Sequence, residues 1–309
     1  MKSIFINLKR FDISKRYGGI CPADDPQEWI RSVIHDSAQL GLGANPHARV
    51  IYLLPEGLIS AAIQELHSLN PDSTVNLSIG CQGVHWEDVS DGGNFGAFTT
   101  SLPAKAAKNF GCTWTIIGHS EERKSKLQIL EAYDARIKDN PEIKVEALST
   151  INGIIRNEVL CALQAGLNVL LCIGETQEER GEGEFEDQKP RVQRVLKSQL
   201  LSNLEGVGNF LREREIAIGY EPIWAIGPGK IPPGEEYIRF VSSNVKDILH
   251  EDIDLKAAVV YGGGLKEENA GMLSNIESID GGLVALTRFT GDIGFDVTGL
   301  QKIIENYIG

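Results

Sequence analysis

Short runs dense in Val, Ile and Leu recur along the chain, and each is followed by a longer stretch in which apolar residues return every three or four positions. The first pattern predicts buried strands and the second predicts amphipathic helices. Strands are expected at Ile4 to Asn7, Val50 to Leu54, Val75 to Ile79, Thr113 to Gly118, Asn168 to Ile173, Glu215 to Tyr220, Ala257 to Tyr261 and Leu283 to Leu286. Helices are expected at Glu28 to Leu40, Leu58 to Leu69, Pro103 to Asn109, Asn152 to Ala165, Gln188 to Arg214, Glu235 to His250, Glu267 to Ile276 and Thr298 to Tyr307. Strict alternation predicts a parallel sheet, and eight units closing on themselves predict an α/β fold of the (β/α)8 barrel type. An open doubly wound sheet is the competing arrangement.

The 309 residues leave room for two domains, but no Gly/Ser-rich linker divides them, so residues 1–309 are read as one barrel domain. Two segments exceed a minimal barrel, near residues 11–25 and 124–150. The second is charged and helix-forming, which fits a solvated elaboration of the surface, with a subunit contact as the alternative.

A formal net charge of −13 argues against a nucleic-acid or acidic-membrane surface, since both require clustered Lys and Arg. An anionic ligand therefore needs a locally positive pocket. The segment "MKSIFINLKRF" turns polar too soon for a signal-peptide core, and no run approaches the ~18 apolar residues of a membrane span, so a cytoplasmic protein is expected. Cys21, Cys81, Cys112, Cys161 and Cys172 form no CxxC pair and read as reduced core residues. The six histidines lack ligand spacing, so neither metal nor cofactor is expected.

In a barrel of this type the chemistry lies just past the C-terminal ends of the strands. Strand one ends in "NLKRFD", where Asn7 and Lys9 share a face and the ammonium suits an anionic substrate. Strand four ends in "IIGHSEERK": His119 stands at the start of a helix, whose positive end disfavours imidazolium and leaves a neutral donor. Strand six ends in "IGYEPIWAIGPGK", where Glu221 precedes a proline and so sits on extended backbone at the rim of an apolar barrel, a desolvated position that suits a general base. The loop after it, apolar between mobile ends, reads as a lid that excludes water. Strand seven ends in "YGGGLKEEN", whose glycines and helix start favour an anion.

Four stretches, "GAFTTSLPAKAAKNFGCTWTIIGHSEERK", "VLLCIGETQEERGEGE", "IGYEPIWAIGPGK" and "VVYGGGLKEENA", resemble the triosephosphate isomerase family in order and approximate spacing. The resemblance implies an aldose–ketose isomerase working on a small phosphorylated sugar through an enediolate. It implies Glu221 as the base, His119 as the neutral electrophile and Lys9 as the substrate-facing cation, with Asn7 beside it, Glu121 paired to Lys9, Ser120 in support and Gly227 bringing a lid N–H to the phosphate. It also implies a homodimer formed through the loop after strand three, where His85, Trp86, Phe95 and Phe98 lie.

The departures gather at the phosphate end. Gly264, after Gly263, stands where the family has a serine; Ala285 and Leu286 stand where it has a glycine pair; and Arg288 adds a charge capable of a bidentate phosphate contact. Pro228 lies between the lid glycines, and Glu122 replaces a residue that is usually basic. A rebuilt phosphate end beside an intact acid–base pair raises a four-carbon ketose phosphate, such as an erythrulose phosphate, as the alternative substrate. A non-catalytic binding barrel would be marked by loss of Glu221, His119 or Lys9, and all three are present. A Schiff-base aldolase would have to use Lys9, which its expected pairing with Glu121 keeps charged.

Overall fold

The computed structural model describes residues 1–227 and 229–309. Its strands are β1 (Lys2–Asn7), β2 (Ala48–Leu54), β3 (Leu77–Cys81), β4 (Trp114–Ile117), β5 (Asn168–Ile173), β6 (Ile216–Tyr220), β7 (Ala258–Tyr261) and β8 (Gly281–Val284), joined in that order into a closed parallel barrel. Closure is made by β8 pairing back on β1, from Ser3 opposite Gly281 to Ile6 opposite Val284. The helices are α1 (Pro26–Gln39), α2 (Glu56–Ser68), the single turn α3 (Pro71–Thr74), α4 (Ala104–Asn109), α5 (Ser120–Tyr133) and α6 (Pro141–Gln164). After β5 come the short α7 (Gln177–Arg180), α8 (Phe185–Asn203), α9 (Glu235–Ile253), α10 (Glu267–Ser274) and α11 (Val297–Ile308).

Alternation along each strand divides the apolar residues into two cores. Phe5, Ile51, Trp114, Leu170, Ala217 and Val260 fill the barrel interior, where Phe5 meets Trp114 edge-on at 5.1 Å between ring centroids. Ile4 and Ile6 point the other way and pack with the buried faces of the helices. Below the interior layer, Arg49 lies 5.0 Å from the centre of the Trp114 ring and pairs with Glu215 at 2.6 Å, closing the bottom of the barrel. Because Phe5 faces inward, Asn7 does too, at the opposite and open end.

Among the boundaries that differ from the sequence expectation, three have a plain local cause. Strand three begins at Leu77, not Val75, because Asn70 caps the turn Pro71–Thr74 and leaves Val75 exposed before the chain extends. The helix expected to reach Arg214 stops at Asn203, and Gly206 at φ 87° turns the chain. Helix α6 begins at Pro141 under the cap of Asn140, so the second half of the 124–150 segment is the opening of the crossover helix itself. The 11–25 segment carries a short bridge between Ser14 and Cys21 and is tied to the loop after β8 by Lys15–Asp292 at 2.5 Å. All five cysteines are free. Among the described residues, no helix is long and apolar enough to cross a membrane.

Candidate active site

Gly118 at φ 77° lets β4 turn directly into α5, and a Cβ there would stand 2.8 Å from the Cys172 carbonyl. Arg123 braces this turn from below, donating to the Gly118 carbonyl at 2.8 Å and to the side chains of Asn152 and Asn203 at 2.8 Å each. His119 is thereby the N-cap of α5, and its Nδ1 accepts the Glu121 N–H at 3.2 Å. That bond leaves the ring proton on Nε2, the atom 3.2 Å from Glu221 Oε1.

Glu221 follows β6 and is 2% exposed, with its N–H bonded to the Ile173 carbonyl at 2.8 Å. Its carboxylate accepts from Ser120 N–H at 2.9 Å and Ser120 Oγ at 3.1 Å, so the positive end of α5 holds it. Two glycines make room for it. A Cβ at Gly174 would fall 1.8 Å from the Glu221 carbonyl, and one at Gly262 would fall 2.9 Å from Glu221 Cγ.

Past β1, Lys9 has φ 40°, a left-handed conformation that costs a lysine about 1–2 kcal/mol. Its N–H donates to Asn7 Oδ1 at 3.0 Å, its carbonyl lies 2.9 Å from Gln82 Nε2, and its ammonium pairs with Glu121 at 2.5 Å. Gln82 Nε2 is also 3.2 Å from Asn7 Oδ1, so one amide from the end of β3 fixes both residues. Nothing in the sequence pattern marks Gln82, because Asn7 and Lys9 lie more than seventy positions away.

The loop after β6, read from the sequence as a lid, begins as a single turn, Ile223–Ala225, anchored from inside. Trp224 Nε1, Tyr220 Oη and Tyr237 Oη all donate to Glu175 Oε1, at 2.8, 2.9 and 2.8 Å. Glu175 is fully buried and its other oxygen has no hydrogen-bond partner, and burial holds its carboxyl above the usual range despite the three donors. The Arg180 guanidinium covers the Trp224 ring at 3.8 Å. Neither Glu175 nor Arg180 carries a role in the sequence reading, although both lie inside the "GETQEER" motif. Gly227 lines the cavity at φ 125°, while Pro228 lies outside the described residues.

Asn7, Lys9, His119, Ser120, Glu121 and Glu221 line one cavity of about 1050 Å³, joined at its far side by Gly227, Gly263, Gly264 and Ala285. Gly263 is required by space, since a Cβ would stand 2.2 Å from the Tyr261 hydroxyl; Gly264 is required by conformation, at φ 94°. Strand β8 ends at Val284, two residues short of the expected boundary, so Ala285 and Leu286 belong to the loop beyond it. Leu286 and Arg288 are not among the lining residues, and the Arg288 guanidinium faces Asp296 at 3.5 Å and Asp292 at 3.8 Å. Glu122 points away from the cavity, accepting the Gly118 N–H at 2.7 Å and pairing with Lys126.

The family profile of triosephosphate isomerase matches residues 43–293, the span from the approach to β2 to the loop after β8. The chain belongs to the triosephosphate isomerase family. It is 32% identical over 228 residues to the triosephosphate isomerase of Alkaliphilus oremlandii, covering 71% of this chain and 77% of that protein. It is 29% identical over 246 residues to that of Oleidesulfovibrio alaskensis, covering 79% and 82%. The solved triosephosphate isomerase of Bartonella henselae superposes with a TM-score of 0.65 across 99% of this chain and 98% of its own, and at 22% identity that likeness speaks for the fold. Membership makes this protein an enzyme, an aldose–ketose isomerase acting on a sugar phosphate.

Proposed function

We propose that the enzyme interconverts glyceraldehyde 3-phosphate and dihydroxyacetone phosphate by proton transfer through an enediolate, without metal or cofactor, as a cytoplasmic homodimer. The observation that carries this reading is the meeting of a buried carboxylate, a neutral imidazole N–H and an ammonium on one cavity: Glu221, His119 and Lys9. Glu221 takes the proton from one carbon and returns it to the next. His119 polarises the carbonyl through Nε2–H, and Lys9 balances the charge of substrate and enediolate. A substrate oxygen has to take the Nε2–H now aimed at Glu221, so binding breaks that contact and frees the carboxylate to reach carbon.

Gly263, Gly264, Ala285 and Gly227 form the phosphate end in this reading, with backbone N–H groups as donors and the lid closing over them. Closure excludes water, which protects an enediol phosphate from eliminating its phosphate. The exposed Phe95 and Trp86 on the loop after β3 supply the dimer contact.

A second substrate, a four-carbon ketose phosphate, is favoured by the phosphate end, where Gly264 removes a hydroxyl and Ala285 adds a methyl. The two are separated by assaying purified enzyme on glyceraldehyde 3-phosphate and on tetrulose phosphates side by side, with Glu221→Gln as blank. A higher kcat/KM on the triose phosphate supports the first substrate, and turnover confined to a tetrulose phosphate replaces it with the second. Full activity in Glu221→Gln would overturn the mechanism for both.

A further inference from the structure

The cavity does not end at His119 and Ser120. It continues outward between α5, α6 and α8, on the β4–β5 side of the barrel, across from the glycines of β7. Leu127 of α5, Val145 and Leu148 of α6, and Val195 of α8 form its walls. Val145 and Leu148 belong to the part of α6 that lies in the 124–150 segment, so the opening turns of the crossover helix build one wall of this lobe. Val145 is 65% exposed, so the apolar wall is open to solvent from outside.

The α8 side chains along the lobe are cationic or neutral. Arg194, Ser198 and Ser202 recur every four residues and so lie along one stripe of α8. Lys124 faces the same lobe from α5. Among the described residues, neither Lys124 nor Arg194 has a carboxylate within ion-pair distance. The acidic Glu179 also borders the cavity; its Oε2 is held towards Thr176, accepting from Thr176 N–H at 2.8 Å and Thr176 Oγ at 2.9 Å, and forms no ion pair with either cation. Apolar walls with two unpaired cations at the rim complement a ligand that is apolar at one end and anionic at the other.

We propose that this lobe binds an amphipathic organic anion, an aromatic ring or short alkyl chain bearing a carboxylate or sulfonate. Its apolar part lies against Leu127, Leu148 and Val195, and its charge lies between Lys124 and Arg194. The floor of the lobe includes Ser120 and Arg123, the residues that hold Glu221 and brace the β4–α5 turn. A ligand seated there presses on the first two turns of α5 and lowers kcat more than it raises KM. Binding stands independently of the isomerase reading, whereas the effect on turnover rests on it.

The test uses 8-anilino-1-naphthalenesulfonate, an apolar ring system with a sulfonate, titrated by fluorescence onto the full chain, with octanoate as competitor. Wild type and Glu221→Gln should bind it equally, and Arg194→Glu and Leu148→Asp should bind it at least about tenfold more weakly, a difference of about 1.4 kcal/mol. Circular dichroism confirms that the variants are folded; Arg194→Glu, on an exposed rim, keeps the test decisive where Leu148→Asp does not fold. Equal dye affinity in wild type and folded Arg194→Glu would overturn the proposal, as would displacement of the dye by glycerol 3-phosphate but not by octanoate. Absence of turnover with dye binding intact would count against the isomerase reading and leave the site standing.

Discussion

Replacing Glu158 by Gln should make the protein less sensitive to alkaline pH. Glu158 sits on α6, 4% exposed, with one oxygen 2.9 Å from the Lys126 ammonium and the other without a partner. Lys126 also pairs with Glu122, which in addition accepts the Gly118 N–H. Two carboxyl groups thus share one ammonium, and the better-solvated Glu122 is the ionised member. Burial, then the neighbouring Glu122 charge, pushes Glu158 up to about 9 from an ordinary value of 4.5. Between those values the folded chain holds one proton that the unfolded chain has released, so stability falls as pH rises and levels off above about 9. An isolated proton gives ~1.4 kcal/mol per pH unit, or about 4 kcal/mol from pH 5.5 to 8.5. Because Glu122 and Lys126 share the titration, about half of that is expected. Gln keeps the neutral hydrogen-bonding shape and has no proton to lose. The stability of Glu158→Gln minus that of wild type should therefore grow by about 2 kcal/mol over that range, since the titrations of groups away from this cluster cancel in the difference. Urea unfolding followed by circular dichroism at several pH values, with unchanged m, measures it. Parallel profiles for the two proteins would refute the assignment of the proton to Glu158.

Gly262→Ala places a methyl 2.7 Å from the Tyr220 carbonyl and 2.9 Å from Glu221 Cγ, so kcat should fall about 100-fold while circular dichroism stays native; unchanged kcat would show that Glu221 is not displaced. Gln82→Ala removes the donor near the Lys9 carbonyl, and the strained φ should relax, weakening substrate binding about fivefold for a hydrogen bond of about 1 kcal/mol. Product-inhibition constants report it. Trp224→Phe takes one of three donors from the buried Glu175 carboxylate and should cost about 2 kcal/mol in urea unfolding, with loss below about 0.5 kcal/mol counting against the lid anchor.

The barrel is written openly in the chain because the strands are buried on both faces and therefore read as short, dominantly apolar runs. Strand three is misplaced by two residues because Val75 is apolar yet sits exposed after a capped turn. Helix α6 is recognised only in its second half, since "PEIKVEALST" alternates charge and apolar character on a partly solvated surface. Glu221, His119 and Lys9 stand out because polar residues directly after apolar runs fall at the barrel mouth. Gln82, Arg123 and Glu175 stay hidden for the opposite reason. Their meaning lies in partners contributed by other elements of the barrel, and no local spacing encodes a contact between Gln82 and Lys9 or between Glu175 and Tyr237. Arg288, read from the sequence as a phosphate contact, has Asp292 and Asp296 as its neighbours, and no local pattern announces those partners either.

The ring of His119 takes its tautomer from the polypeptide itself. The donor that fixes Nδ1 is the main-chain N–H of Glu121, and every residue except proline supplies that same group. In the proposed mechanism the His119 N–H is therefore insulated from side-chain change at its nearest neighbour. Substitutions around the cavity, such as those at Gly264 and Ala285, are free to redraw which molecule fits without altering the hydrogen offered to its carbonyl. Glu121→Pro would be the exception: it deletes the donor while leaving the histidine in place, and Glu121→Ala, which loses the same Lys9 partner but keeps the N–H, is the control that isolates the orientation.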